Sequence, residues 1–297
     1  MPIGNPGRDF ENIVANVKEF ENIEQSELFL VIDSPDCPEA NALSRIYSES
    51  QNVTVLRGSW GNPGSARNFG KEKSSGEWIS FIDSDDYIDF RNYYQMVLEG
   101  NSNGAELILG KYQVINENGI IVDSTEVISH HSLAKSIARN PGIWRLSFKR
   151  NLVDEIDFPG LRMAEDQVFL ARSRFWEREI WISDFLVYTY RKNILGQLTR
   201  NQDAISDLLE AQEITLGLLF KERPNSAGSR ILSVVFTNQL LTSLKHLGLR
   251  GFASLRKTFR KESGTIRLLR IGTRLGLTML VEMVYKSKRL RKAGSNQ

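Results

Sequence analysis

The sequence predicts an α/β fold built on a mainly parallel sheet and followed by a helical extension, on three observations. Short runs rich in β-branched and aromatic residues recur between residues 28 and 110 with spacers long enough for crossovers. Two of those runs end in aspartate, and from about residue 203 the β signal gives way to helical spacing. At 297 residues, 41% hydrophobic and 25% charged, the chain can bury one large core or two modest ones. We place the boundary at residue 202, with 1–202 as the α/β domain and 203–297 as a helical, basic region.

The elements follow in order. Phe10, Ile13, Val17 and Phe20 recur at helical spacing behind Asp9, an aspartate suited to capping a first turn, so a helix opens the chain. Strands are expected at Leu28 to Ile32, Val53 to Arg57 and Trp78 to Asp83, with a fourth at Glu106 to Gly110. In open α/β sheets ligands bind outside the carboxyl ends of the strands, which puts Asp33, after the first run, and Asp83 to Asp86, after the third, at one edge. Leu240, Leu244 and Leu247 mark the later helices.

Charge and cysteine content exclude several classes. Cys37 is the sole cysteine, so neither an intramolecular disulfide nor a cysteine zinc cluster can form, which fits a reducing, cytoplasmic setting. No signal-peptide pattern opens the sequence, and apolar runs such as 231–241 and 275–285 fall well short of the ~20 residues a spanning helix needs. His130 and His131 are adjacent and His246 is remote from them, so a histidine metal site is not indicated. The net charge of +2 hides an asymmetry: residues 251–297 hold 12 basic and 2 acidic residues (+10), and the rest holds 26 basic and 34 acidic (−8). Basic residues interleaved with Leu, Ile, Phe and Val from Ser254 to Lys292 suit either a peripheral contact with anionic lipid on the inner membrane face or a solvated helical cap; no nucleic-acid motif accompanies them.

Three segments carry chemistry. Phe81-Ile82-Asp83-Ser84-Asp85-Asp86 delivers three carboxylates to the end of an apolar strand; like charges that close repel, and a hard Mg²⁺ or Mn²⁺ ion removes the cost while leaving room for diphosphate oxygens. A solvated acidic turn is the plainer alternative. Asn62-Pro63-Gly64-Ser65-Ala66-Arg67-Asn68-Phe69-Gly70 combines a tight turn, small packing residues and a cation for an anionic ligand, or is simply a helix start with a solvated arginine. Ala164-Glu165-Asp166-Gln167, after the turn Phe158-Pro159-Gly160, places paired acids at a helix start, where they also suit the helix dipole.

The order of these segments resembles family 2 of the GT-A glycosyltransferases, in which an Ala-Arg-Asn-x-Gly helix precedes a strand ending in Asp-x-Asp and a Glu-Asp pair follows. The resemblance runs from Met1 to about Arg200 and includes Ile143-Trp144-Arg145 and Val187-Tyr188-Thr189-Tyr190-Arg191 as acceptor-side and closing segments. It implies a Rossmann-like mixed sheet of the nucleotide-diphospho-sugar transferase type and transfer of a sugar, with inversion, from a nucleotide donor, most commonly a UDP-sugar, to a saccharide or lipid-linked acceptor in cell-surface polysaccharide or glycolipid assembly. Residue by residue it implies that Pro2, Asp33, Arg67 and Asp83 contact the nucleotide sugar, Asp85 ligates Mg²⁺ or Mn²⁺, and Asp166 is the catalytic base. Asp86 and Glu165 are expected as supporting groups, Arg191 to close over the diphosphate, and Trp144 to stack on an acceptor sugar or to serve the core.

The sequence departs from the family in three places. Relatives open with an apolar strand ending in a proline turn, of which Met1-Pro2-Ile3-Gly4-Asn5 is the remnant, so the sheet is expected to be short of its first strand and the start at Met1 to be late. Ser34-Pro35-Asp36-Cys37-Pro38 replaces the usual acidic, glycine-rich turn after Asp33, and Gln197 replaces a serine. Two rivals remain: a degenerate sugar-nucleotide binder without turnover, and an aspartate-nucleophile phosphatase, whose Asp-x-Asp-x-Thr motif would need threonine where Tyr87 stands.

Overall fold

In the computed structural model, Asn5 begins the first helix. Its side chain accepts from the Arg8 N–H at 3.1 Å, and Pro6 fills the first helical position, where the missing N–H costs nothing. Asp9, expected as the cap, lies instead inside helix α1 (Pro6–Phe20), where it is buried. The structure describes residues 1–124, 133–192, 202–255, 257, 272–280 and 282–283. His130, His131, Gln197 and most of the basic stretch 254–292 therefore lie outside the described residues.

The chain divides into two compact units, Met1–Glu126 with Gly142–Arg162 and Glu177–Leu195, and Val127–Pro141 with Met163–Trp176 and Gly196–Gln297. Segments on both sides of residue 202 thus belong to the second unit.

The first unit holds two sheets. In one, β1 (Pro2–Ile3), β2 (Leu28–Ile32) and β3 (Val53–Arg57) lie side by side in parallel, with α1 and α2 (Pro38–Ile46) as crossovers. Both longer strands have the bounds that their apolar runs predict. The remnant Pro2–Ile3 pairs with Val31 and Ile32, so the first strand is present but two residues long. Helix α3 (Pro63–Lys73) then leads to the second sheet, where β4 (Trp78–Ser80) is followed by β5 (Tyr87–Ile88), α4 (Phe90–Ser102), β6 (Leu107–Ile115) and β7 (Ile121–Ser124). The order across this sheet is β4-β8-β6-β9-β5, with β7 on β6, where β8 is Leu146–Lys149 and β9 is Ile180–Arg191.

This second sheet is mixed rather than mainly parallel. The short strand β8 returns antiparallel between β4 and β6, and only β6 and β9 run parallel. The strand expected at Trp78 to Asp83 leaves its ladder after Ser80, which frees Phe81 to Asp86 to form the loop described below; the strand expected at Glu106 to Gly110 continues to Ile115. The core of the unit joins Ile13 and Val17 of α1 to Leu30 and Ile32 of β2 and Met96 of α4.

The second unit is helical among its described residues: α5 (Leu133–Arg139), α6 (Glu165–Arg172), α7 (Gln202–Ile205), α8 (Asp207–Lys221) and α9 (Ala227–Leu247). Leu216, Leu219, Phe236 and Leu240 form its core, and a buried Glu282 accepts from Arg139 at 2.9 Å. No described helix is long and apolar enough to cross a membrane.

Candidate active site

The loop after β4 concentrates negative charge, and the surrounding elements sort its carboxylates by direction. Asp86 turns inward and is fully buried. Its Oδ2 accepts from the Tyr188 hydroxyl at 2.8 Å and its Oδ1 from the Arg191 backbone N–H at 2.7 Å, both on β9. Burial, reinforced by the charges of Asp85 and Asp83, still holds its pKa well above the usual carboxylate range. Asp83 and Asp85 keep a face to solvent. Burial and the charge of Asp83 push Asp85 up to about 6, against the opposing pull of the Arg8 guanidinium.

Each outward acid has a cation. Arg67, buried on α3, donates to Asp83 Oδ1 at 2.7 Å and lies over the Phe158 ring, while Arg8 stands 3.4 Å from Asp85 and 2.6 Å from Asp9. The loop backbone is held as firmly. Asn12 donates to the carbonyls of Ser84 (2.7 Å) and Asp86 (2.8 Å), Asn16 donates to Asp86 O at 2.9 Å and accepts from the Ile88 N–H at 3.2 Å, and the Asp83 N–H donates to the Tyr188 hydroxyl oxygen at 3.2 Å. Asn12 and Asn16, four apart on α1, thus present two amides to one loop. Arg8, Asn12 and Asn16 are neighbours that sequence reasoning missed, with the pair of asparagines at helical spacing as their local signal, and Tyr188 was marked only as part of the segment 187–191.

Helix α3 supplies Arg67 through a start that its sequence dictates. Asn62 accepts from the Ser65 N–H at 2.8 Å, and Pro63 follows it. Gly64 is required by a close approach, since a Cβ there would lie 2.5 Å from the Pro159 carbonyl oxygen. Asn68 clamps the same turn from both sides, donating to Phe158 O at 3.0 Å and accepting from Phe158 N–H at 2.9 Å. Two segments that were separate motifs in the sequence therefore form one packed unit behind Arg67.

Asp33, at the end of β2, accepts from the backbone N–H groups of Trp60 and Gly61 and so braces the loop after β3, and Pro2 sits in β1. Trp144 is in the core, stacked on Tyr188 at a centroid distance of 4.4 Å and near Tyr190. Arg191 reaches the Asp85 carbonyl at 3.3 Å and covers the Tyr87 ring. Glu165 and Asp166 open α6 in the second unit behind Ala164, whose φ of 63° is left-handed, and Asp166 Oδ1 accepts from the Gln167 N–H at 2.7 Å.

The donor set of the loop suits a hard divalent cation. Asp83 and Asp85 offer carboxylate oxygens beside solvent, and a cation there would relieve the repulsion that raises Asp85. Among the described residues no three His, Cys, Asp or Glu side chains are grouped to hold a metal, so an ion would be shared between these two carboxylates and the oxygens of a ligand, which is the usual way Mg²⁺ is held.

Comparison with known proteins adds the following. The family described as Glycosyl transferase family 2 matches residues 3–151. The poly(ribitol-phosphate) beta-glucosyltransferase of Bacillus spizizenii is 30% identical over 224 residues, 67% of this chain and 35% of that protein. The poly(ribitol-phosphate) beta-N-acetylglucosaminyltransferase TarP of Staphylococcus aureus is 28% identical over 179 residues, 57% of this chain and 54% of that protein. The chain thus spans about a third of the length of the first of these relatives and about half of the second. Residues 1–349 of S. aureus TarS, solved in complex with UDP-GlcNAc, share the fold with a TM-score of 0.63 at 17% identity, covering 97% of this chain and 90% of that one.

Proposed function

Because the chain belongs to glycosyl transferase family 2, we propose that it transfers a sugar, with inversion, from a UDP-sugar to the hydroxyl of a saccharide, polyol-phosphate or lipid-linked acceptor in cell-surface polysaccharide or glycolipid assembly. The observation that carries this reading is the sorted acidic loop: one buried aspartate anchors it and two outward aspartates, each beside an arginine, face solvent. The names of two relatives support a polyol-phosphate acceptor, and UDP-GlcNAc bound to a protein of the same fold supports a uridine donor. The excess of basic residues after residue 250 supports peripheral contact with an anionic membrane face.

In this mechanism Asp33 and Asp83 orient the nucleotide, and Arg67 offers a fixed guanidinium to the diphosphate. Asp85, with Asp83 beside it, would hold Mg²⁺ or Mn²⁺, which supplies charge stabilisation to the departing diphosphate. Asp166 takes the proton of the acceptor hydroxyl as its oxygen attacks the anomeric carbon opposite the diphosphate; the new glycosidic bond forms, the bond to the diphosphate breaks, and UDP leaves with the electron pair. Asp86, Tyr188, Asn12 and Asn16 touch no reacting atom and keep the acidic loop in place.

Thermal unfolding with UDP and Mn²⁺ tests the donor site. Ligand at ~100 times its dissociation constant should add roughly 2.7 kcal/mol of stability, and Asp85→Ala should lose that gain. Turnover of a UDP-sugar should then fall by about 10²- to 10⁴-fold in Asp166→Asn, with the UDP-dependent gain retained. A metal-dependent gain without turnover of any sugar nucleotide would favour a degenerate binding protein, and no gain from a folded sample would remove the reading.

A further inference from the structure

Helix α1 carries a cation near its start, where a helix gains nothing from one. The helix dipole favours acids at that end, so the place of Arg8 is explained by what its side chain touches. Its guanidinium forks onto Asp9, with Nε donating to Oδ1 and Nη2 to Oδ2, both at 2.6 Å. Nη2 also reaches Asp85 Oδ2, at 3.4 Å. The two contacts differ in strength. Asp9 is only 4% exposed and its paired bonds are short, the strong form of this interaction, whereas the Asp85 contact is single, long and beside solvent.

Asp9 is itself tied to the acidic loop, since its Oδ2 accepts from Ser84 Oγ at 3.3 Å. It therefore acts as a hinge that keeps Arg8 beside the loop, and Asp85 is a seat that Arg8 can leave. This puts Arg8 in competition with any cation at Asp85. A divalent ion and a guanidinium on one carboxylate repel each other, so for Mn²⁺ to bind there the Arg8 contact has to give way. A diphosphate shifts that balance. It brings anionic oxygens that a guanidinium fork binds well, and Arg8 then gains a partner as it gives up Asp85.

We propose that Arg8 makes the binding of a divalent cation at Asp85 conditional on the nucleoside diphosphate: hinged on Asp9, its guanidinium holds Asp85 until the diphosphate draws it across. The inference rests on the donor-site reading above and adds to it the residue that couples the two ligands. Arg8 lowers the affinity of the metal alone and returns that loss when the nucleotide is bound. Coupling between two ligands is reciprocal, so Arg8 enlarges the effect of Mn²⁺ on UDP affinity by the same factor as the effect of UDP on Mn²⁺ affinity.

Mn²⁺ affinity, read from the electron paramagnetic resonance of the free ion with and without UDP, tests this on the full chain and three variants. Arg8→Gln should bind Mn²⁺ alone about tenfold more tightly than the parent chain, the scale of one partly screened charge contact. The factor by which UDP tightens Mn²⁺ should shrink by about the same amount. Arg8→Lys keeps the charge and should follow the parent. Asp9→Asn frees Arg8 to lean on Asp85 and should weaken Mn²⁺ binding without UDP; opposite shifts from adjacent substitutions are not what a general loosening of α1 produces. Unchanged or weaker binding of Mn²⁺ alone by Arg8→Gln, or Arg8→Lys matching Arg8→Gln, overturns the proposal, while Mn²⁺ binding supported by UDP in those same samples leaves the donor site standing. No Mn²⁺ binding by any form in the presence of UDP overturns the donor-site reading and this inference with it.

Discussion

Strand β4 meets two unlike demands at two places along its length. Beyond its carboxyl end the chain carries a surplus of negative charge, and the unit answers with Arg8 and Arg67, two asparagine amides, a tyrosine hydroxyl and the Arg191 N–H. Along its free edge the surplus is of backbone hydrogen-bonding groups, and the described residues leave a cavity there. The acidic loop is thus fixed before any ligand arrives, a requirement for electrostatic stabilisation of a departing diphosphate.

The largest effect separating the two places should come from the Met1 amine. Its pKa is lowered from 8.0 to about 5 in the folded state, so between those values the unfolded chain binds the proton and the folded chain does not. Stability contributed at this site is full above pH 8, declines as pH falls to 5, and changes no further below. At roughly 1.4 kcal/mol per unit the window spans about 4 kcal/mol. Acetylating the amine keeps a donor for Phe29 O and removes the charge, so denaturant midpoints of free and acetylated chains should coincide at pH 8.5 and diverge at pH 5.5, the acetylated form being the more stable. Parallel profiles would mean that the amine is hydrated rather than buried.

How far each place can be read from sequence differs for the same reason. Carboxylates announce themselves by residue type, so Asp83 to Asp86 can be placed after a strand, and the runs at 28–32 and 53–57 give the two longer strands of the first sheet to the residue. What holds the loop cannot be read this way. Asn12, Asn16 and Tyr188 lie 70 to 105 residues from their partners in sequence, and nothing local tells an asparagine that cradles a loop from one that faces water. Likewise Leu146–Lys149 is too short and featureless a run to reveal that it returns between β4 and β6.

A smaller effect of opposite sign belongs to the acidic end. Asp85 is raised to about 6 by burial and Asp83, so between about pH 4 and 6 the folded chain holds a proton that the unfolded chain has released, and stability falls as pH rises through that window. Asp85→Asn removes this cost and should stabilise the metal-free chain at pH 7 by about 2 kcal/mol, while abolishing the Mn²⁺-dependent response to UDP. A variant that loses the response but gains no stability would show that Arg8 already compensates the charge, and that this end of β4 holds less strain than its pKa implies.

The smallest effect asks whether the acidic loop depends on the helix that delivers Arg67. Asn62 caps α3 through Ser65 N–H at 2.8 Å and holds Trp60 O at 3.0 Å, so Asn62→Ala should cost about 1 kcal/mol of stability. The backbone of the loop hangs from α1 and β9, and the Arg67–Asp83 pair links α3 to its side chains. A lower denaturant midpoint with an unchanged Mn²⁺-dependent UDP response is therefore expected. Loss of that response along with the cap would mean that α3 sets the geometry of the carboxylates, and that the loop is not independently fixed by the asparagines and Tyr188.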